Sequence, residues 1–222
     1  LSTLNDVKGL PDVFSGAISL AEALRPTDIP TLKYIAETPE LVALDQSLIN
    51  KNRREFWLKE KIVEPLKKDF DLVIMDCSPN WNRLITNSLV ASDVLLSPLE
   101  CKINNFRNFQ VFRGLISEFS EEMEHSFFHA FVATKLNIQR KLSRDIFSWY
   151  LQNLDTCLQT PMRESLAGEE ATALKLSLPE YAPAASASEE MRTLLSELWS
   201  VLPQTQRTKV KSRRERGISM TM

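Results

Sequence analysis

Glycine is scarce in this chain, with five among 222 residues: Gly9, Gly16, Gly114, Gly168 and Gly217. None precedes a lysine, so no G-x-x-x-x-G-K-[ST] loop is present and the usual backbone cradle for phosphates is missing. Cysteine is equally sparse. Cys77, Cys101 and Cys157 are odd in number and far apart, which fits neither a disulfide framework nor a zinc site and predicts reduced thiols in a cytosol. His125 and His129 are the two histidines; four apart, they would share a face if helical, but alone they make a poor metal site. No apolar run approaches the roughly 20 residues of a membrane helix, and no basic-then-apolar leader opens the chain. The first residue is leucine, not methionine, from which a missing N-terminal piece is expected; processing or tag removal is the other explanation.

What is present is an ordinary globular composition, 43% hydrophobic and 25% charged, enough for one domain with a real core. The net charge of −2 conceals an asymmetry. Residues 203–222 hold Arg207, Lys209, Lys211, Arg213, Arg214 and Arg216 against Glu215 alone, leaving 21 basic and 28 acidic residues elsewhere. An acidic body with a basic tail suggests a tail that meets phosphate, as in nucleic acid. The bland alternative is a solvated terminus. Only Val210 is apolar within 206–216, so the tail cannot bury an apolar face in a membrane.

The most telling segment is Asp71-Leu72-Val73-Ile74-Met75-Asp76-Cys77-Ser78-Pro79. Four apolar residues between two aspartates predict a fully buried strand. An acid at the carboxyl end of such a strand lies where open α/β sheets bind ligands, and in nucleotide-hydrolysing folds it assists magnesium. The bland reading of Asp76 is a solvated residue at a strand-to-helix turn. Cys77 lies beside it, with nothing in the sequence to activate the thiol.

Other elements follow from periodicity. Strands are expected over 31–36, 72–75, 94–96 (closed by Ser97-Pro98), 127–134 and 157–159. Helices are expected over 39–44, 53–68, 81–91, 142–151 and 162–174, and from a cap at Ser186 or Ser188 onward. Phe106, Phe109, Phe112, Ile116 and Phe119 form a stripe at helical spacing, which reads as core. Strands alternating with helices predict an α/β fold: a mostly parallel sheet with helices on both faces. One domain is expected over 1–202, with a basic flexible tail over 203–222.

Four segments resemble the ParA family of partition ATPases, within the MinD/ParA group that carries a deviant P-loop. Phe70 to Pro79 resembles that family's "yDxhhhDxpP" strand (Walker B) and switch. Thr86-Asn87-Ser88-Leu89-Val90-Ala91-Ser92-Asp93-Val94-Leu95-Leu96-Ser97-Pro98 resembles "TxNALxAADxhhhPv". Val132 to Leu136 resembles the strand whose end approaches the base. Pro161 to Ala171, followed by Leu178 to Pro183, resembles "hRxsxxxxeA" and "hxeYxPxS". The resemblance spans nearly the whole chain, from about Asp6 to Leu202.

The resemblance implies a P-loop NTPase-like fold lacking its first strand and its phosphate loop (Walker A). It implies ATP and magnesium as the family's cofactors, and Asp76 assisting magnesium through water. Thr134, Lys135, Tyr181 and Pro183 would lie near adenine or ribose. The implied partners are non-specific DNA, a ParB-like centromere-binding protein and a second copy in a homodimer, with no membrane, in a cytoplasm and at the nucleoid. Arg207, Lys209, Lys211, Arg213, Arg214 and Arg216 would contact DNA, and Arg163 either DNA or its own helix. Without the phosphate loop and its lysine, no ATP hydrolysis by this chain alone is expected, and a strand neighbour of 72–75 would be missing. Three functions stay open: the C-terminal portion of a ParA-type ATPase, a non-catalytic remnant acting through DNA or ParA/ParB-type partners, and a fragment of another P-loop enzyme such as a cobyrinate-synthase relative.

Overall fold

Local capping chemistry sets the first elements. The computed structural model describes residues 7–204, in two compact units that divide after Ala91. In the first, α1 (Leu10–Ser15) starts where the Asp12 carboxylate accepts the Gly9 N–H at 2.9 Å, and ends at Gly16 in a left-handed conformation with φ 78°. A capping box between Ser19 and Glu22 starts α2 (Leu20–Ala23). Gly9 forms a parallel bridge with Ala36, where an added Cβ would sit 2.3 Å from the Ala36 carbonyl oxygen. The strand expected over 31–36 contracts to β2 (Lys33–Tyr34), paired antiparallel with β1 (Arg25–Pro26).

α3 (Leu41–Ser47) runs into a 3₁₀ turn, Leu48–Asn50. The helix expected over 53–68 is not uniform. A 3₁₀ turn (Arg54–Phe56) leads through a π segment (Lys59–Val63) into α4 (Glu64–Leu66). The wide turn is closed by the Glu64 N–H on the Lys59 carbonyl. Pro65, lacking an N–H, follows directly. Leu58, Ile62 and Leu66 form the buried seam of this stretch. α5 (Arg83–Ala91) closes the unit.

The segment Leu72–Met75 corrects the expectation of a buried strand. Its backbone pairs with no strand among the described residues. Val73 and Met75 pack on the Leu58 seam, whereas Leu72 and Ile74 are 69% and 80% exposed. Side chains of an extended chain alternate, so one covered face buries only every second residue. The apolar run reads as two-sided burial, but only one side has a neighbour here.

In the second unit β3 (Val94–Glu100) pairs parallel with β4 (Phe128–Thr134), the two joined by α6 (Ile103–Glu122). β3 does not close at Ser97-Pro98. Asp93 O and Cys101 N bond β4, so by the alternation of a parallel ladder even-numbered Pro98 turns its missing N–H to the opposite edge and interrupts nothing. A third extended segment lies parallel along the far side of β4, through bridges Phe131↔Cys157 and Leu136↔Arg163. This confirms an extended Cys157 but removes 162–165 from the expected helix, because Met162 and Glu164 are committed to ladder bonds with Ala133 and Leu136. The helix there is α8 (Leu166–Ala173), capped by Ser165. α7 (Lys141–Asn153) supplies Ile146 and Tyr150 to a core shared with Leu99, Phe109, Phe131 and Ala133. The aromatic stripe of α6 is core, with Phe109, Ile116 and Phe119 buried and Phe106 and Phe112 packed beside them.

α9 (Leu178–Tyr181) and α10 (Ser186–Val201) complete the described chain. Neither expected serine caps α10. Ala185 is the cap residue, and Ser188 is fully buried, donating to the carbonyls of Ala182 (2.7 Å) and Leu178 (3.2 Å). His125 and His129 share no helix: His125 follows the turn at Met123–Glu124 and His129 lies on β4. The fold is α/β, with parallel strands and covering helices. No helix among the described residues is long and apolar enough to cross a membrane.

Candidate functional site

In the second unit the carboxyl ends of three parallel segments meet, where open α/β sheets gather ligands. β3 ends at Glu100, β4 at Thr134, and the third segment at Glu164. The carbonyl of Thr134 accepts the Cys101 N–H at 2.9 Å, locking the two strand ends in register. Directly after it Lys135 adopts a left-handed φ of 50°, uncommon for a residue with a side chain and a mark of functional turns. Its ammonium pairs with Glu100. That hydrogen bond, with the charges of Glu100, Glu164 and Glu169, holds the lysine above its ordinary pKa.

Charges are matched around the rim. Lys102 Nζ lies 3.5 Å from Glu164, and Asn137 Nδ2 donates to Glu164 at 2.9 Å. The Asn137 bond, with Lys102 and Arg140, holds the Glu164 carboxyl below its usual range. Asn137 is itself fixed by its N–H on Ser143 Oγ at 3.0 Å. α8 links this cluster to the other expected residues: Glu169 acts on Lys135, while neighbouring Glu170 accepts the Tyr181 hydroxyl at 2.8 Å and raises its pKa. The Pro183 carbonyl accepts from Arg192 Nη2 at 3.0 Å. Four carboxylates (Glu100, Glu164, Glu169, Glu170) stand against Lys102, Lys135 and Arg140. Such a rim suits hydrogen bonding to a neutral polar ring better than binding a phosphate.

Thr134 and Lys135 thus meet at one strand end, and Tyr181 and Pro183 follow through α8 and α9. Arg163 neither caps its own helix nor stands free: its guanidinium pairs with Glu190 of α10, whose other oxygen accepts the Arg163 N–H at 3.1 Å. Glu100, Asn137 and Glu164 were not singled out in the sequence. The signal was available, since each lies at or just beyond the end of a parallel strand, but ending β3 at Pro98 concealed the first.

Asp76 belongs to the first unit. It is exposed, in the extended stretch that follows Met75, ahead of a turn in which Asn80 N–H donates to Ser78 Oγ at 3.3 Å. A single exposed carboxylate fits an outer, water-mediated contact to a magnesium ion. The described residues hold no group of three or more His, Cys, Asp or Glu able to bind a metal. They also present no glycine loop for a triphosphate, so they do not fit a complete magnesium–ATP site. The six basic residues of the tail lie outside the described residues.

A family model described as an AAA domain matches residues 3–128. The chromosome partitioning protein ParA of Myxococcus xanthus is 36% identical over 83 residues, 37% of this chain and 29% of that protein. Among solved structures, a McdA–ATP complex of Cyanothece aligns with a TM-score of 0.75 at 16% identity, over 87% of this chain and 76% of the other. The cobyrinic acid a,c-diamide synthase of Mycobacterium smegmatis, with an ATP analog and magnesium, aligns with a TM-score of 0.65 at 23% identity, over 73% and 67%. These likenesses show the fold. The chain spans less than half the length of the curated relatives it matches, from 29% to 43% of the first two.

Proposed function

The chain belongs to the ParA family of partition ATPases, within the AAA domain family, and from that premise we propose that it is the C-terminal portion of such a protein, unable to hydrolyse ATP alone. The observation that carries this reading is a mismatch within one chain. The magnesium-side acid, Asp76, is kept at the end of an apolar segment, while no glycine–lysine loop exists anywhere in the sequence. In P-loop enzymes backbone amides and the loop lysine carry most of the triphosphate's charge, so an acid without them has nothing to complete. The exposed Leu72 and Ile74 support the same reading, because an apolar segment with one bare face fits the loss of a covering element.

Within this reading Thr134, Lys135, Tyr181 and Pro183 form the base and ribose side of the family site, and ATP and magnesium bind only when a phosphate loop is supplied. The McdA and synthase neighbours, solved with ATP and with an ATP analog plus magnesium, support nucleotide chemistry on this fold. Arg207, Lys209, Lys211, Arg213, Arg214 and Arg216 contact DNA without sequence preference, in the cytoplasm and at the nucleoid. A ParB-like protein and a second ParA-type chain are the protein partners.

Two measurements test it. Purified chain with ATP and magnesium should release phosphate no faster than a no-protein control; turnover that disappears in Asp76→Ala would refute the inactivity. DNA retardation should weaken steeply with added salt and drop when residues 203–222 are deleted. Unchanged retardation in the deletion would remove the tail from the interface.

A further inference from the structure

The first unit holds a cavity of about 310 Å³ between α1 and the turn that precedes the π segment. Two aromatic rings wall it: Phe14 and Trp57 meet edge to face, 5.1 Å between centroids at 66°. Three cations, Lys51, Arg53 and Lys61, line it against one carboxylate, Glu60. The carboxylate is committed, since Arg53 Nε and Nη2 donate to Glu60 Oε1 at 3.2 and 2.6 Å. Lys51 and Lys61 have no ion pair among the described residues; Lys51 only lies over the Phe14 ring at 5.2 Å. The lining therefore carries an uncompensated charge of about two, beside an apolar wall.

Two backbone irregularities converge on this cavity. Arg53 sits in the left-handed region, φ 53° and ψ 37°, uncommon for a residue with a side chain. The π segment Lys59–Val63 contains Glu60 and Lys61, and such wide turns are enriched at functional sites. Trp57, Glu60 and Lys61, three and four residues apart, are thereby carried on one face of the helical run. A left-handed residue on one side, a π turn on the other, a guanidinium paired to Glu60 and two ammoniums without an ion pair among the described residues frame the cavity.

We propose that this cavity binds a nucleoside phosphate unit, its phosphate held by Lys51 and Lys61 and its planar ring against the Trp57 wall. The volume lies at the lower end of small-molecule sites, enough for one such unit. Lysine recognises phosphate, and tryptophan offers a face on which any base can stack. The same chemistry reaches the cavity from a free mononucleotide or from one residue of an unpaired strand. The site is remote in sequence from the basic tail and from the strand-end cluster, and does not depend on their assignment.

Calorimetric titration of the full chain tests it with three probes: adenosine 5′-monophosphate, inorganic phosphate and a dT12 oligonucleotide. The comparison protein is the double variant Lys51→Ala, Lys61→Ala, whose exposed positions leave the core intact. Mononucleotide binding that weakens at least tenfold in the double variant supports the site with a free ligand. Oligonucleotide binding alone, with the same loss, supports it with a strand as source. Inorganic phosphate binding as tightly as the mononucleotide overturns the role of the ring. Equal binding by the double variant, or no binding of either nucleotide probe, overturns the site.

Discussion

The side-chain amide of Asn87, 1% exposed, accepts the buried backbone N–H of Leu58 at 3.0 Å. Its Nδ2 donates to the carbonyls of Arg54 and Arg83, both at 2.9 Å. One amide from α5 thus satisfies the backbone where the 3₁₀ turn gives way to the π segment, a point at which helical bonding is irregular. The resemblance to the family's "TxNAL" segment marks this asparagine, and its role is to fasten two helical runs.

Asn87→Leu keeps the volume and removes every one of these bonds. Each buried group left without a partner costs about 1–3 kcal/mol. A loss of about 2–4 kcal/mol in urea unfolding is expected, against less than about 1 kcal/mol for replacement of the half-buried neighbour Ser88 by Ala. A loss below 1 kcal/mol in Asn87→Leu would show that the fastening is not made in solution.

Gly9→Ala places a methyl group 2.3 Å from the Ala36 carbonyl oxygen and 2.9 Å from Thr38 Cγ2. Because the nearest atom is backbone, the bridge itself must move. Overpacking of this kind costs about 1–3 kcal/mol. The midpoint of thermal unfolding should fall, whereas Gly114→Ala, with open space around the added atom, should leave it unchanged or raise it.

His129 gives a pH signature. Burial, then the charge of Arg113, push its imidazole down to about 4, and its Nε2 lies 2.9 Å from Ser97 Oγ. The unfolded chain takes up the proton near pH 6.5, the folded one only near 4. Stability is therefore full above pH 6.5 and declines as pH falls from there to 4. His129→Gln should flatten the decline by on the order of 2 kcal/mol between these limits. Identical pH slopes for the two proteins in urea unfolding would contradict a half-buried neutral imidazole.

The three thiols should separate kinetically. Cys77 is exposed, while burial pushes the Cys101 and Cys157 thiols up to about 11. Thiolate is the reactive form. A disulfide reagent at pH 8 should label one thiol per native chain at least about 100-fold faster than the other two, and all three in urea. Cys77→Ser should abolish the fast phase.

Periodicity reported the second unit well, because its elements are covered as their composition implies. The α6 stripe and β4 each show the burial that their spacing predicts. Reading failed where a neighbour decides the outcome. Leu72 and Ile74 have the composition of a buried strand, but burial needs a second covering element. Pro98 looked like a stop because only the direction of its missing N–H, set by register, makes it tolerable. The strand-end cluster was half visible: Thr134 and Lys135 followed from the resemblance, while Glu100, Asn137 and Glu164 required the three segments to be aligned. The cavity beside Trp57 has no motif, since it joins residues from two separate elements.

Pro98 carries one more consequence. Among the described residues the edge of β3 away from β4 pairs with no strand, and such a row of peptide groups can serve an incoming chain as a template for uncontrolled strand addition. A proline in the middle of that row leaves any such chain one carbonyl without a donor and meets it with a ring instead. Aggregation seeded at this edge is thereby discouraged at its centre, so that Pro98→Val, neutral for the β3–β4 ladder itself, should make the protein more prone to fibrous self-association.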